Sequence, residues 1–248
     1  MRHQMMKTIA LITAALLLAP IAGRAEVPAL KGWQCSVALG LTLTRGNSRT
    51  LSANGAVLAE NLLKHDEFRL GGDLSYGEQE INGVNSTTAQ SAHGFGDWKH
   101  LFTDRFYSDL RLDGYHDHVA DLSYRIIVGP AAGYYFIKNA RSRLSAEAGV
   151  SYITERKGGT DDNYIALRLG ERGEHSFNPQ WKVWEQVDIL PQVDKFENYI
   201  VLAEAGTEAA LNAHLSLRVV LRDQYNNRPA PGRGSNDLTL ITALAYKF

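Results

Sequence analysis

The residues best suited to chemistry are charged, and they recur at even spacings. Asp109, Arg111 and Asp113 form one run. Arg69 with Asp73, Arg168 with Arg172, Glu204 with Glu208, and Arg218 with Arg222 repeat the theme four residues apart. In an extended strand, side chains an even number of residues apart project from one face, so each run becomes a ladder of charge. Arg125, Glu147, Lys182 and Asp188 join them by the same parity. Such ladders can select solutes by charge along a passage, or pair with one another and brace an interior.

Other groups offer different chemistry. His116-Asp117-His118 puts two imidazoles on one face of a strand, which suits a metal or an acid–base pair. No third ligand is evident, and parity puts both on the face of Leu110 and Leu112, so an exposed pair near a rim accounts for them. The segment Gly158-Gly159-Thr160-Asp161-Asp162-Asn163 carries oxygen donors for Ca²⁺, or for a polyanionic lipid through a cation, but lacks a full ligand set. A serine hydrolase would need a serine, a histidine and an orienting polar group. Ser75, Ser86, Ser91 and Ser123 are available, and no elbow motif singles one out. Gly71-Gly72 and Gly94-Phe95-Gly96 open no helix, so no phosphate loop is implied. No catalytic residue, metal or cofactor is expected.

The elements that carry these residues read as strands. Trp33, Cys35, Val37, Leu39, Leu41 and Leu43 alternate with Gln34, Ser36, Ala38, Gly40 and Thr42. Strict alternation marks a strand with one apolar face. This one is long beside soluble strands of about five or six residues. The same pattern recurs through Phe68–Tyr76, Phe106–Asp113, Leu144–Tyr152, Ile165–Leu169, Leu215–Arg222 and Leu238–Phe248. The connections alternate between tight turns flanked by bulky residues, such as Thr103-Asp104-Arg105, Asn139-Ala140-Arg141 and Asn212-Ala213-His214, and looser polar loops such as 45–49, 81–86 and 226–236. That is the layout of an up-and-down meander.

Eleven connections give twelve strands, expected over 33–44, 50–63, 67–80, 87–99, 106–118, 123–137, 142–156, 163–176, 180–191, 198–210, 214–226 and 236–248. Three places disagree. Ala56–Lys64 and Ala203–Leu211 have helix-forming composition. Pro130 falls inside a strand of a barrel that has no edge to excuse it, so a bulge is expected near Gly129-Pro130. The alternation is weak from Thr87 to His100.

The 248 residues suit one domain, and 44% hydrophobic with 21% charged residues excludes gross disorder. A formal net charge of −1 leaves no electrostatic footprint for nucleic acid. Cys35, the single cysteine, can form no internal disulfide. Arg2, His3 and Lys7 precede an apolar run, Ile9–Leu18, of about ten residues, within the range of a secretory signal core. Pro20 breaks it and Gly23-Arg24-Ala25 supplies small residues for cleavage. Residues 1–25 therefore read as a cleaved signal, in preference to a retained helical anchor, and 26–248 as the barrel.

Alternation alone does not say which face meets lipid. Long charged side chains of both signs on the polar face, long strands, and aromatics near strand ends (Trp33, Phe68, Phe102, Phe106, Phe136, Phe177, Trp181, Tyr225) favour an apolar exterior over a soluble lipocalin-like barrel. Tyr246 and Phe248 close the last strand, resembling the terminal signal read by barrel-assembly machinery. With Gly46-Asn47-Ser48 after the first strand and Tyr225-Asn226-Asn227-Arg228-Pro229 before the last, the chain resembles the salt-induced outer-membrane protein family, a family grouped under a domain of unknown function. The resemblance spans about residues 33–248. It implies an all-β, up-and-down antiparallel transmembrane barrel integral to a bacterial outer membrane, with no established activity and no catalytic residues. The partners implied are outer-membrane lipid and lipopolysaccharide, the assembly machinery and periplasmic chaperones. The expected function is a narrow porin-like channel. A structural or stress-response barrel with a plugged lumen and an outer-membrane lipid hydrolase are the alternatives.

Overall fold

The computed structural model describes residues 32–44, 48–81 and 84–248, so the expected signal and the Gly46-Asn47 turn lie outside the described residues. Twelve strands run β1 (Gln34–Thr44), β2 (Ser48–Leu62), β3 (Asp66–Ile81), β4 (Val84–Leu101), β5 (Phe106–Asp117), β6 (Leu122–Lys138), β7 (Ser142–Lys157), β8 (Thr160–Asn178), β9 (Trp181–Gln192), β10 (Lys195–Ala210), β11 (Leu215–Asn226) and β12 (Asn236–Lys247). Each pairs antiparallel with its sequence neighbours, and β12 returns to β1 to close the barrel. The closing ladder is short, Ser36–Leu39 against Leu244–Lys247, whereas β1 and β2 pair over Gln34–Thr44.

The tight turns are held by their own side chains. Asn139 Oδ1 accepts from the backbone N–H groups of Arg141 (2.9 Å) and Ser142 (2.8 Å), and Asn212 Oδ1 does the same for His214 (2.9 Å) and Leu215 (2.8 Å). Thr103 Oγ1 accepts from Phe106 N–H at 2.9 Å. Short polar side chains that mimic a backbone acceptor are what such turns require.

The apolar side chains point outward. Leu39, Leu41 and Leu240 are each 67% exposed and Leu74 is 64% exposed, whereas Ala38, Asp73, Ser75 and Ile241, next to three of them in sequence, line the bore. Among the described residues, no helix is long and apolar enough to cross a membrane. Around the tight-turn rim, aromatics touch in pairs: Phe68 stacks on Trp98 with ring centroids 6.3 Å apart, and Phe177 on Trp181 at 4.3 Å. Carboxylates interrupt the apolar exterior, Glu185 most deeply buried among them. Glu185 lies over Gly173 beside Leu144, is 2% exposed, and its Oε2 has no hydrogen-bond partner.

The strands expected over 50–63 and 198–210 form despite the helix-forming composition of Ala56–Lys64 and Ala203–Leu211: β2 runs to Leu62 and β10 to Ala210, because pairing on both sides outweighs local propensity. The expectation at Pro130 needs correction. No bulge forms at Gly129-Pro130. Both residues pair in register with Arg111 and Leu110 of β5, and the β7 ladder resumes in its old register from Val128↔Tyr152 to Ala131↔Gly149. Glycine makes this possible: a methyl on Gly149 would sit 2.2 Å from the Pro130 carbonyl oxygen. The irregularities of this ladder fall between Leu122 and Tyr124 and between Tyr135 and Ile137.

The Gly158–Asn163 loop is a two-residue hairpin. Gly158 (φ 58°) and Gly159 (φ 75°) supply the left-handed conformations that such turns demand. Asp161, Asp162 and Asn163 already belong to β8, so their oxygens do not converge. Asp161 instead accepts from Tyr124 Oη at 3.2 Å. Finally, β5 ends at Asp117 and His118 lies in the following turn. His116 remains on the outer face with Nδ1 2.8 Å from the Ser123 carbonyl, so the two imidazoles do not form a paired site on one strand.

Candidate functional site in the bore

The charged ladders meet inside the barrel, where three clusters form. In the first, Arg168 donates to Asp109 (2.6 Å) and Glu147 (2.7 Å), with Asp188 at 3.5 Å. Lys99 and Tyr107 also bond Glu147, the tyrosine at 2.8 Å, and Arg111 reaches Asp188 (3.1 Å) and Asp113 (3.0 Å). These contacts join β4 to β7, β5 to β8 and β5 to β9 across the bore. The ladder Asp109-Arg111-Asp113 is therefore real in geometry, with its members bonded mainly to other strands.

The second cluster lies on the opposite wall. Arg222 donates to Asp73 (2.8 Å) and Glu204 (3.2 Å), and Trp184 Nε1 donates to Glu204 at 2.9 Å. Arg69 donates to Glu60 at 2.7 Å. His93 stands between Asp73 and Asp113, one at 3.3 Å from each ring nitrogen, and stacks on Tyr115 with centroids 4.3 Å apart. Arg172 differs from these. It donates to Gln186 Oε1 at 2.7 Å, and Glu174, the carboxylate it faces, is 4.0 Å away.

The third cluster stands at the tight-turn end, where Glu208 collects Ser216 (2.9 Å), Arg218 (2.9 Å), Lys247 (2.5 Å) and Lys182 (3.8 Å). Toward the long-loop end, Arg125 bonds Glu155 at 2.6 Å.

The bore is not uniformly polar. Ile127, Ile153, Tyr164, Ala166, Leu190 and Ile200 form a buried cluster, with Tyr115 and Leu202 packed on it. Their strands, β6 to β10, thus fill their side of the bore with hydrocarbon toward the long-loop end. Space remains on the other side. A cavity of about 130 Å³ runs beside β1–β4 and β8–β12 and is lined by Glu60, Arg69, Asp73, Arg172, Trp184 and Arg222 among others. A second of about 80 Å³ continues past His93, Tyr115 and Gln224 and shares Arg69, Phe95, Arg172, Glu204 and Arg222 with the first. A third of about 390 Å³ opens at the tight-turn rim and shares Lys182 and Glu208 with the first.

The loop 227–235 folds over the other mouth. Asn227 N–H donates to the Tyr199 carbonyl at 3.0 Å, Arg228 pairs with Glu197, and Ala230 is buried. Pro231 packs against Gly158, close enough that an added methyl there would meet its Cδ at 2.9 Å.

The candidates separate by place. Arg69, Asp73, Arg111, Arg172, Glu204, Arg218 and Arg222 line the cavities, while Asp109, Asp113, Arg125, Glu147 and Arg168 are held in buried ion pairs. Tyr246 and Phe248 lie outside, 5.7 Å apart, with Phe248 N–H donating to Cys35 O at 3.2 Å. Sequence reasoning passed over His93, Phe95, Asp97 and Lys99 on β4. Their outward neighbours Ala92, Gly94 and Gly96 are too small to mark an apolar face, and parity counted from Trp98 would have found them.

Of the serines considered for hydrolysis, Ser75 lines the first cavity and Ser86 bonds the Gln79 carbonyl. Ser142 Oγ lies 2.8 Å from His175 Nδ1 near the tight-turn rim, and among the described residues no side chain engages the other nitrogen of that ring. Among the described residues no three or more His, Cys, Asp or Glu side chains are placed to hold a metal ion.

Comparison with solved structures places the architecture among outer-membrane barrels. The COG4313 outer membrane channel from Pseudomonas putida F1 superposes with a TM-score of 0.51 at 8% identity, covering 93% of this chain and 100% of that one. The translocator domain of the autotransporter NalP from Neisseria meningitidis gives 0.49 at 10% identity, covering 100% and 96%, and a NanC porin gives 0.47 at 8%, covering 87% and 97%. At such identities the likeness concerns the fold. No curated protein sequence matches. The family model described as "Protein of unknown function, DUF481" matches residues 37–248. With that match running from β1 to the last residue, the chain belongs to the DUF481 family.

Proposed function

We propose that the protein is an integral outer-membrane barrel through which small polar solutes pass along an eccentric path. The observation that carries this reading is the series of three cavities through the bore, the first sharing charged residues with each of the other two. A charged constriction flanked by wider water-filled space is what a selective pore needs. Export by the signal at residues 1–25, recognition of Tyr246 and Phe248 during assembly, and contact of the outward leucines with lipid and lipopolysaccharide belong to the same reading. So does the lack of an enzymatic role and of nucleic-acid binding. The test is conductance of the refolded full chain in a planar bilayer. Discrete current steps are expected; silence in every electrolyte would sink the channel.

A second reading, a structural barrel with a plugged lumen, draws on the Arg168 cluster and on the loop over the mouth. It predicts that silence. Hydrolysis of lipid by the purified protein, lost with one specific serine such as Ser142, would overturn both.

A further inference from the structure

We propose that the junction between the first and second cavities is an anion-binding constriction whose solute is a small organic carboxylate with an apolar body. The proposal rests on the channel reading and adds the class of solute. The five residues common to both cavities are Arg69, Phe95, Arg172, Glu204 and Arg222, three guanidinium groups against one carboxylate. That one carboxylate is occupied, by Arg222 at 3.2 Å and by Trp184 Nε1 at 2.9 Å. Arg69 and Arg222 have their own partners in Glu60 and Asp73, at 2.7 and 2.8 Å.

Arg172 has none of comparable strength. A neutral amide oxygen, Gln186 Oε1, takes one of its N–H groups, and Glu174 stands beyond hydrogen-bonding distance at 4.0 Å. A guanidinium carries five N–H donors in a planar fork that matches a carboxylate in two parallel bonds. The bore therefore holds an arginine with donors to spare, in the lining that the first and second cavities share.

The approach favours the same sign. The rim cavity is lined by Arg141, Lys182 and Lys247 against Glu208 alone, and shares Lys182 and Glu208 with the first. Cationic walls of low dielectric concentrate anions ahead of a constriction. An apolar surface lies within the first cavity: Phe95 at the junction, with Arg69 over its ring at 5.5 Å, and Trp184, Leu58 and Ile241 also in the lining. A cationic fork beside aromatic and branched side chains suits a carboxylate attached to a ring or a branched chain, in preference to a bare inorganic anion.

Two measurements on the refolded full chain test this. In a bilayer under a KCl gradient, the reversal potential should report preference for Cl⁻. Arg172→Gln should lower the anion-to-cation permeability ratio about threefold or more, the factor a unit charge exerts in water about 6 Å from an ion. Arg172→Lys should retain most of the preference. In equilibrium dialysis, benzoate should bind saturably to the wild type and lose that binding in Arg172→Gln, with benzyl alcohol and benzylamine binding neither form. A cation-preferring pore, or a reversal potential indifferent to Arg172→Gln, overturns the proposal. So does inorganic phosphate binding as tightly as benzoate. If no current flows but benzoate binding is present and lost with Arg172, the site stands and the channel reading fails.

Discussion

Arg168 of β8 reaches Asp109 of β5 across the bore at 2.6 Å, with the two side chains 5% and 0% exposed. Two strands, β6 and β7, separate them in the wall, so the contact is a chord of the barrel. Removing Arg168 leaves Asp109 buried without its cation, which costs about 3–5 kcal/mol, whereas Arg168 without Asp109 keeps Glu147 at 2.7 Å. Arg168→Met should therefore lower the urea midpoint of the protein refolded in lipid vesicles substantially. The double variant Arg168→Met with Asp109→Leu should recover part of the loss. A single variant as stable as the wild type would show that the chord is not a brace.

The outward leucines predict a sharp asymmetry along one strand. Leu240→Arg places a guanidinium against acyl chains and should cost about 2–4 kcal/mol if it lies near the bilayer midplane. Thr239→Arg, one residue away and facing the bore, should cost far less. The comparison is read from unfolding titrations in vesicles, and equal effects would contradict a lipid-facing exterior.

Glu185 offers the reverse case. Its carboxylate lies on the outer face with one oxygen unbonded. A lone charge there is costly. Glu185→Gln and Glu185→Leu should both raise the unfolding midpoint at neutral pH. A fall in both would mean that the carboxylate has a partner in the assembled membrane.

The hydrocarbon on one side of the bore should behave as a core. Ile153 and Leu190 are 0% and 2% exposed. Replacing either by alanine should destabilise by about 2–4 kcal/mol, as for other buried aliphatic side chains. The same variants should leave the reversal potential unmoved, because neither side chain lines any of the three cavities.

The loop over the mouth should limit current. Replacing residues 228–234 by a short Gly-Ser linker removes the Arg228–Glu197 pair and the Pro231–Gly158 contact. Single-channel conductance should rise. An unchanged conductance would place the narrowest point elsewhere.

The strands were legible because apolar and polar residues alternate wherever one face is greasy and the other wet, as in β5 and β12. The signal failed where that contrast is missing. On β4 the outward side chains are Ala92, Gly94 and Gly96, so the inward His93, Asp97 and Lys99 had no apolar face to define them. In β6 and β7 the bore itself is apolar at Ile127 and Ile153, and period alone cannot say that both faces are hydrophobic. The charges were placed on the correct strands, but which pairs meet depends on curvature: Arg168 and Asp109 are 59 residues apart. The distinction between the braced Arg168 and the sparsely partnered Arg172, four residues along the same strand, is written in that curvature alone.

The short closing ladder between β1 and β12 gives the wall a clasp. Four residue pairs fasten it, where the neighbouring β1–β2 ladder uses eleven. A pull or a denaturant should unzip the cylinder there first, turning it into a curved ribbon with two raw edges. Those edges could add a strand from another copy, so the refolding yield should fall as protein concentration rises.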